Sequence, residues 1–362
     1  MKKKLLFTAH SLSLGGIEKA LVNLLNTLDE EKYDITLVLE RKEGIFLEEL
    51  PKHVHVIEYQ LNHSKNILIR KIKNRLHLWK WKIEHKNKYD FAISFATYSI
   101  PGACITLNAS KHNALWIHNN YYQLYNENVK EMKKFFRRIK MRKFQHHVYV
   151  SYDNMNTMLK YFPQYQKRSI VCNNIIDYQT IRKESEEEIS IKKNGITFVN
   201  VGRHEEHQKR LSRIIDACDR LKREGYQFQV WFVGDGVNHK KYMEQVKALQ
   251  LDDVILFLGK QKNPYPYYRL ADAVLLSSKY EGYPVVFVEA MTLNKPIVTT
   301  AVSDYREIEN KYGIVVENNA SAIYRGMKQF LDHGFVIQKP FDPQEFNQQM
   351  KEIFENLVEG KK

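Results

Sequence analysis

Residues 273–300 read AVLLSSKYEGYPVVFVEAMTLNKPIVTT. The stretch opens on an apolar run of strand length, 273–278, and closes on another, 296–300. Between them Pro284 suits the first turn of a helix, where a missing N–H costs little, and VVFVEAM continues it. Strand, helix, strand is the unit of a parallel sheet covered by helices. Two glutamates, Glu281 and Glu289, stand eight apart across an apolar spacer. The spacer buries the helix against the sheet and fixes the distance between the carboxylates. The amides of Val285 and Val286 become free donors at the positive end of that helix, an arrangement that binds an anion, most simply a phosphate. Carboxylates suit vicinal hydroxyls, because each oxygen accepts from one O–H. A phosphate flanked by two polyols describes a sugar nucleotide. A surface helix with two unrelated glutamates would show the same spacing, so the rest of the chain has to decide.

The same alternation runs outward in both directions. Towards the start, apolar runs at 4–9, 35–40, 55–59, 90–96, 113–118 and 147–151 are separated by helical patterns such as GIEKALVNLLNTL at 16–28. After a charged stretch at 182–195, a second series has runs at 196–202, 228–234, 254–259, 273–278 and 296–300. At 362 residues the chain exceeds what one core usually fills. The expectation is an α/β protein of two doubly wound, Rossmann-like domains that face each other across a cleft, residues 1–176 and 177–342. A C-terminal helix over 343–362 is expected to pack back toward the first domain. Ligands of such sheets bind outside the carboxyl ends of the strands, where the remaining candidates fall. Gly202 ends a strand, and Arg203 and Lys209 flank the following loop, so both can aim cations at one diphosphate. Gly15-Gly16 follows the first strand, and Gly234 and Gly236 follow a strand of the second series, where a missing side chain lets a ligand approach the backbone.

Composition narrows the partners. With 43% hydrophobic and 27% charged residues the chain is globular. The formal charge of +14 calls for an anionic partner: nucleic acid, anionic lipid or a phosphorylated substrate. No RNA- or DNA-binding module is recognisable, so nucleic acid is not the expected partner. Cys104, Cys172 and Cys218 lack metal or redox spacing and read as core thiols of a reducing cytoplasm. His204-Glu205-Glu206-His207 lacks the i, i+4 histidine spacing of a helical zinc motif and a third ligand. No metal and no cofactor are expected. The opening MKKKLLFTAH is basic then apolar, but it leads into a glycine pair without a cleavage signature and reads as a first strand.

Taken in order, these features resemble the retaining glycosyltransferases of family 4, with the two-domain GT-B fold, and among them the bacterial enzymes of polysaccharide or glycolipid synthesis. The residues that carry the likeness are Gly15-Gly16-Ile17-Glu18, Asn174-Ile175-Ile176-Asp177, Val201-Gly202-Arg203 with Lys209, Gly234-Asp235-Gly236, Phe257-Leu258-Gly259, and Glu281 to Glu289 followed by Ala290-Met291. The resemblance implies transfer of a sugar from a nucleotide diphosphate sugar, UDP by default, to a hydroxyl of a saccharide or lipid-linked acceptor. It implies that Glu289 holds the ribose and that Glu281 contacts the sugar. Arg203 and Lys209 would neutralise the diphosphate, with the Gly15-Gly16 loop and the backbone of Pro284-Val285-Val286 near it. The backbone at Lys260 and Gln261 would meet the base, and His118 would stand beside the reaction centre. The family often has glycine after Lys209 and glycine or alanine near 303–304, where this chain has Arg210 and Ser303-Asp304. The chain contains no Asp-x-Asp motif, so fixed cations are expected to do the work of a metal.

Two basic stretches bear on the acceptor side. Residues 65–88 hold nine Lys or Arg and one acid, with Ile72, Leu76, Trp79 and Ile83 on one helical face, and residues 130–143 form a second stretch. Such helices rest on anionic lipid, at the inner face of the cell membrane for a cytoplasmic enzyme. A core-facing stripe with solvated charges is the other reading. Two further functions share the architecture: a non-catalytic partner of another transferase, and a sugar-nucleotide epimerase.

Overall fold

The apolar runs pair side by side into two sheets, parallel throughout. The computed structural model describes residues 1–13, 15–62 and 64–361. The first sheet holds β1 (Lys3–Ala9), β2 (Tyr33–Leu39), β3 (His55–Glu58), β4 (Phe91–Ser94), β5 (Asn113–Ile117), β6 (His146–Tyr149) and β7 (Ser169–Val171), in the order β3-β2-β1-β4-β5-β6-β7. The second holds β8 (Ile196–Val201), β9 (Phe228–Val233), β10 (Ile255–Gly259), β11 (Ala273–Leu276), β12 (Ile297–Thr300) and β13 (Gly313–Val316), in the order β10-β9-β8-β11-β12-β13. Each order reverses direction beside its first strand, the switch point of a doubly wound sheet. Strands buried on both faces have no polar side to show, and β4, β5, β9, β11 and β12 are buried at every position.

The helices of the first series are α1 (Gly16–Thr27), α2 (Ile67–His85), α3 (Ile100–Ala109), α4 (Tyr121–Leu124), α5 (Val129–Arg138) and α6 (Tyr152–Tyr161). Those of the second are α7 (Tyr178–Ser185), α8 (Leu211–Arg223), α9 (His239–Ala248), α10 (Tyr265–Leu270), α11 (Val285–Thr292) and α12 (Ala322–His333), and α13 (Pro343–Glu359) closes the chain. Met1–Ile175 with Asn347–Lys362 make one compact unit, and Ile176–Phe346 the other. In the first, the later part of α13 returns to the sheet: Phe354 stacks on Phe7 at 6.1 Å and lies 6.3 Å from Trp116. The core of the second joins Phe198, Phe232, Leu275 and Val298 of the sheet to Ile214, Cys218, Tyr242 and Met327 of its helices. No described helix is long and apolar enough to cross a membrane.

Three details differ from the sequence reading. β7 and β13 are short edge strands that carry too few residues for their own periodicity to register. Pro284 is the N-cap of α11, extended at ψ 112°, and the helix starts one residue later. The two basic stretches part company. In α5, Met132 and Phe136 are buried with Tyr121 and Phe162 in the core, so its apolar side is used up. In α2 the core side is Trp81, which meets Tyr59 at 5.7 Å and stacks on His85 at 3.7 Å. The stripe Ile72, Leu76, Trp79 and Ile83 lies on the other side, 59–63% exposed.

Candidate active site

The loop after β11 is tied to the loop after β8. Ser277 Oγ donates to the carbonyls of Lys209 and Arg210, each at 2.9 Å, and the Lys279 amide donates to the Gln208 carbonyl at 2.7 Å. Thr300 Oγ1 at the end of β12 holds the Ser278 carbonyl at 2.7 Å, and Asn318 Nδ2 holds that of Lys279 at 2.7 Å. The loop after β8 is shaped by Glu205, whose carboxylate accepts from the amides of His207 (2.6 Å) and Gln208 (3.1 Å). This stitching delivers three donors to Glu281. Lys209 Nζ lies 2.7 Å from its Oε1, Ser278 Oγ donates to the same oxygen at 2.7 Å, and Gln208 Nε2 donates to Oε2 at 3.0 Å. Glu281 is only 7% exposed. Lys209 and Glu281, read separately in the sequence, are therefore one ion pair. Arg203, at the start of the same loop, is exposed.

The first-turn amides of α11, those of Val285 and Val286 among them, lack intrahelical partners, and among the described residues no side chain caps the helix. One turn further along, Glu289 accepts from Tyr268 OH at 2.8 Å and from Tyr265 OH at 3.4 Å. Burial, then the Glu289 charge, pushes both phenols far above their ordinary range, so both remain donors. Sequence reasoning missed Gln208, Ser278, Tyr265 and Tyr268. Only the i, i+3 spacing of the two tyrosines on α10 hinted at a shared target. After β10, Lys260 is exposed and Gln261 Nε2 donates to the Leu258 carbonyl at 2.6 Å. The second-series glycines have a packing use as well. A Cβ at Gly234 (φ +146°) would overlap the Gly202 carbonyl, and one at Gly236 would sit 2.5 Å from the His204 carbonyl. They let the β9 loop lie against the β8 loop. His204 and His207 diverge: His204 Nδ1 meets His239 Nδ1 at 2.7 Å, and His207 Nδ1 meets Tyr280 OH at 2.9 Å.

In the first unit, Gly15 is the N-cap of α1, with Gly16 its first residue. A Cβ at Gly15 would overlap the Glu18 carboxylate, to which Tyr98 OH donates at 3.0 Å. Leu14 falls outside the described residues. His118 follows β5, buried with its ring 4.5 Å from that of Phe95. Among the described residues neither ring nitrogen has a hydrogen-bond partner, the Phe95 backbone beside it falling short of good geometry. Burial pushes its pKa down to about 3, so the ring is neutral near pH 7.

Residues 181–353 match the profile of the family described as Glycosyl transferases group 1. A Campylobacter jejuni protein, N-acetylgalactosamine-N,N'-diacetylbacillosaminyl-diphospho-undecaprenol 4-alpha-N-acetylgalactosaminyltransferase, is 24% identical over 91% of this chain and 90% of its own length. An uncharacterized glycosyltransferase of Methanocaldococcus jannaschii is 25% identical over 51% of this chain, which spans 47% of that relative. Among solved structures, Anabaena HepE in complex with UDP superposes with a TM-score of 0.75 over 98% of this chain and all of its own, at 18% identity. The lipopolysaccharide outer core galactosyltransferase WaaB does so with a TM-score of 0.70 over 99% of each chain, at 17% identity. These likenesses are of fold, and the fold is GT-B.

Proposed function

We propose that this GT-B glycosyltransferase moves a sugar from a UDP-sugar to a hydroxyl of a lipid-linked saccharide or growing surface polysaccharide, with retention and without a metal. The observation that carries the reading is the buried Lys209–Glu281 pair, held by Ser278 and Gln208 beside the uncapped start of α11. UDP, bound in the Anabaena structure, and the diphospho-undecaprenol saccharide named for the Campylobacter relative support the donor and acceptor classes.

In this reading charge grows on the leaving diphosphate as the sugar–phosphate bond breaks. An ammonium has three donors; one holds Glu281, and the others are available to a phosphate oxygen. Arg203 adds a planar fork, and the α11 amides add aligned dipoles. Such fixed donors stabilise developing charge without a metal. Glu281, oriented by three donors, accepts from the sugar hydroxyls, and Glu289, oriented by Tyr265 and Tyr268, accepts from the ribose. A retaining hydrolase places two carboxyl groups on opposite sides of the scissile bond. Here the bond to the acceptor oxygen forms on the face the diphosphate leaves, and the departing phosphate takes the acceptor's proton. His118, neutral and with both nitrogens unpartnered among the described residues, positions a hydroxyl and does not supply a proton.

The test is Arg203→Ala, an exposed change that leaves the fold intact. Turnover of UDP-sugar is expected to fall about 10²–10³-fold, the loss typical of one electrostatic stabiliser. Activity is expected to survive chelation, and the product to keep its anomeric configuration by NMR. An unaffected variant or full metal dependence refutes the mechanism.

A further inference from the structure

All of the net charge lies in one unit. Residues Ile176–Phe346 hold 24 Lys and Arg against 24 Asp and Glu, so the formal +14 belongs to the other unit, with 32 basic and 18 acidic residues. Within that unit, residues 132–175 hold ten Lys and Arg against Asp153 alone. The fold gathers four of the ten around one cavity of about 590 Å³. Arg142 and Lys143 come from one segment of its wall, and Lys167 and Arg168 from another. Phe144, Gln145 and His146 complete the lining, so no carboxylate belongs to it. The cavity lies at the amino ends of β6 and β7, which start at His146 and Ser169. His118 follows the carboxyl end of β5, and β5 and β6 run parallel. The cavity is therefore on the opposite edge of the sheet from His118.

Local structure holds the cations in place. Two short helical turns, Met141–Lys143 and Pro163–Arg168, end at the cavity, and each carries its basic pair in its last turn. Cations suit the negative end of a helix, and Arg168 is used in that way. Its Nη1 donates to the carbonyls of Phe144 at 3.3 Å and Arg142 at 3.5 Å, which ties the two segments together. Beneath them Phe144 is buried in the core, and the Gln145 amide donates to Asn113 Oδ1 at 3.1 Å. Arg142, Lys143 and Lys167 are exposed, and among the described residues none of the three has an ion-pair partner. Burial, then the charges of His112 and Arg168, pushes the His146 imidazole below its ordinary range, and no carboxylate opposes them. Cations gathered without acids repel one another, and a bound anion removes that repulsion. No large apolar side chain of 139–146 or 163–170 is exposed, so the rim offers nothing to insert into a bilayer. Linked phosphates place several charges within one cavity, whereas a carboxylated saccharide spreads them a sugar ring apart.

We propose that this cavity binds a free oligophosphate, a small molecule with two or more linked phosphate groups, at a site separate from the sugar donor. Phosphate oxygens take the fork of Arg142 and the remaining donors of Arg168, and Lys143 and Lys167 supply point charges. The proposal does not depend on the transfer reaction. The probe is inorganic tripolyphosphate, titrated into the full chain by calorimetry. It is expected to bind at least about tenfold tighter than orthophosphate and to raise the melting temperature. Lys143→Gln with Lys167→Gln removes one exposed cation from each segment. This double variant is expected to melt unchanged without ligand and to bind tripolyphosphate at least about tenfold more weakly. Arg142→Gln alone is expected to weaken binding about threefold or more. Arg203→Ala, which alters the second unit, is expected to leave it unchanged. Tripolyphosphate that binds no tighter than orthophosphate, or full binding by the double variant, overturns the proposal. So does a loss confined to Arg203→Ala, which gives the anion to the donor site. Displacement of bound tripolyphosphate by phosphatidylglycerol vesicles gives the cluster to lipid headgroups, and displacement by duplex DNA gives it to nucleic acid. Either result overturns a free oligophosphate as the ligand. If tripolyphosphate binds as expected while no UDP-sugar is turned over, the cavity keeps its role and the proposed reaction falls.

Discussion

Lys209 and Glu281 form a pair with little water around it, their side chains 17% and 8% exposed. Removing one member of such a pair strands the other, at a cost of about 3–5 kcal/mol. Lys209→Ala should approach the lower end of that range, because Ser278 and Gln208 still serve the glutamate. Lys209→Met with Glu281→Gln should cost less than the two single changes together. Urea unfolding of the four proteins in a double-mutant cycle measures the coupling, and simple additivity would mean that the pair is not formed in solution. In the proposed reading the pairing also changes how variants are read, since a change at Glu281 releases Lys209 and so would touch both sugar and diphosphate. Glu289 is the cleaner probe. Its oxygens are set by tyrosines, and Tyr268→Phe should weaken free UDP about threefold to tenfold by calorimetry, the worth of one ordinary hydrogen bond of about 1 kcal/mol. Unchanged UDP affinity would detach Tyr268 from the ribose. The two glutamates were legible because their spacing is local. Their partners were not, because Gln208 and Lys209 lie more than seventy residues before Glu281 and only the sheet brings them together.

At the level of elements, two residues that depart from the family habit of glycine or alanine turn out to be backbone positions. Arg210, the N-cap of α8, has φ +54°, and Ser303 has φ +54°. An L side chain there costs about 1–2 kcal/mol. Arg210 has partial compensation in Glu206, whose carboxylate lies 3.4 Å from its Nη1, and Ser303 Oγ donates to the Gly282 carbonyl at 2.6 Å. Arg210→Gly and Arg210→Ala both lose that side chain, so their difference isolates the backbone. Glycine should be the more stable by about 1 kcal/mol, the reverse of the order inside a helix. Urea midpoints that favour alanine would contradict the left-handed geometry. The resemblance pointed to both positions; the reason for them needed φ. Likewise the apolar stripe of α2 was legible as a stripe, but which side faced the sheet was not. Trp81, His77 and His85 form a competing apolar face on the same helix, and only the contact with Tyr59 decides between them.

For the molecule as a whole, the strand alternation carried most of the architecture, because strands buried on both faces leave an uninterrupted apolar run in the chain. Solvation of the buried histidines is outside any such pattern, and it governs how the protein meets acid. In the first unit His118 is pushed down to about 3 and His147 to about 4, and in the second His204 to about 4, burial being the main cause in each. For His204 the neighbouring His239 adds to burial, and Asp235 opposes it. Above the ordinary value of 6.5 these rings are neutral whether the chain is folded or not, and their contribution is fully present. As pH falls from 6.5 toward 4 the unfolded chain takes up protons that the folded chain refuses, so stability is lost on the acid side. Each ring contributes up to about 1.4 kcal/mol per pH unit, and the three together about 4. Urea midpoints are therefore expected to drop steeply between about pH 6 and pH 5, above the range where most carboxylates titrate. His204→Phe should flatten the slope by about a third, and a slope that it leaves unchanged would mean that water reaches His204 in solution and that its burial beneath the Gly202 and Gly234 loops is not maintained.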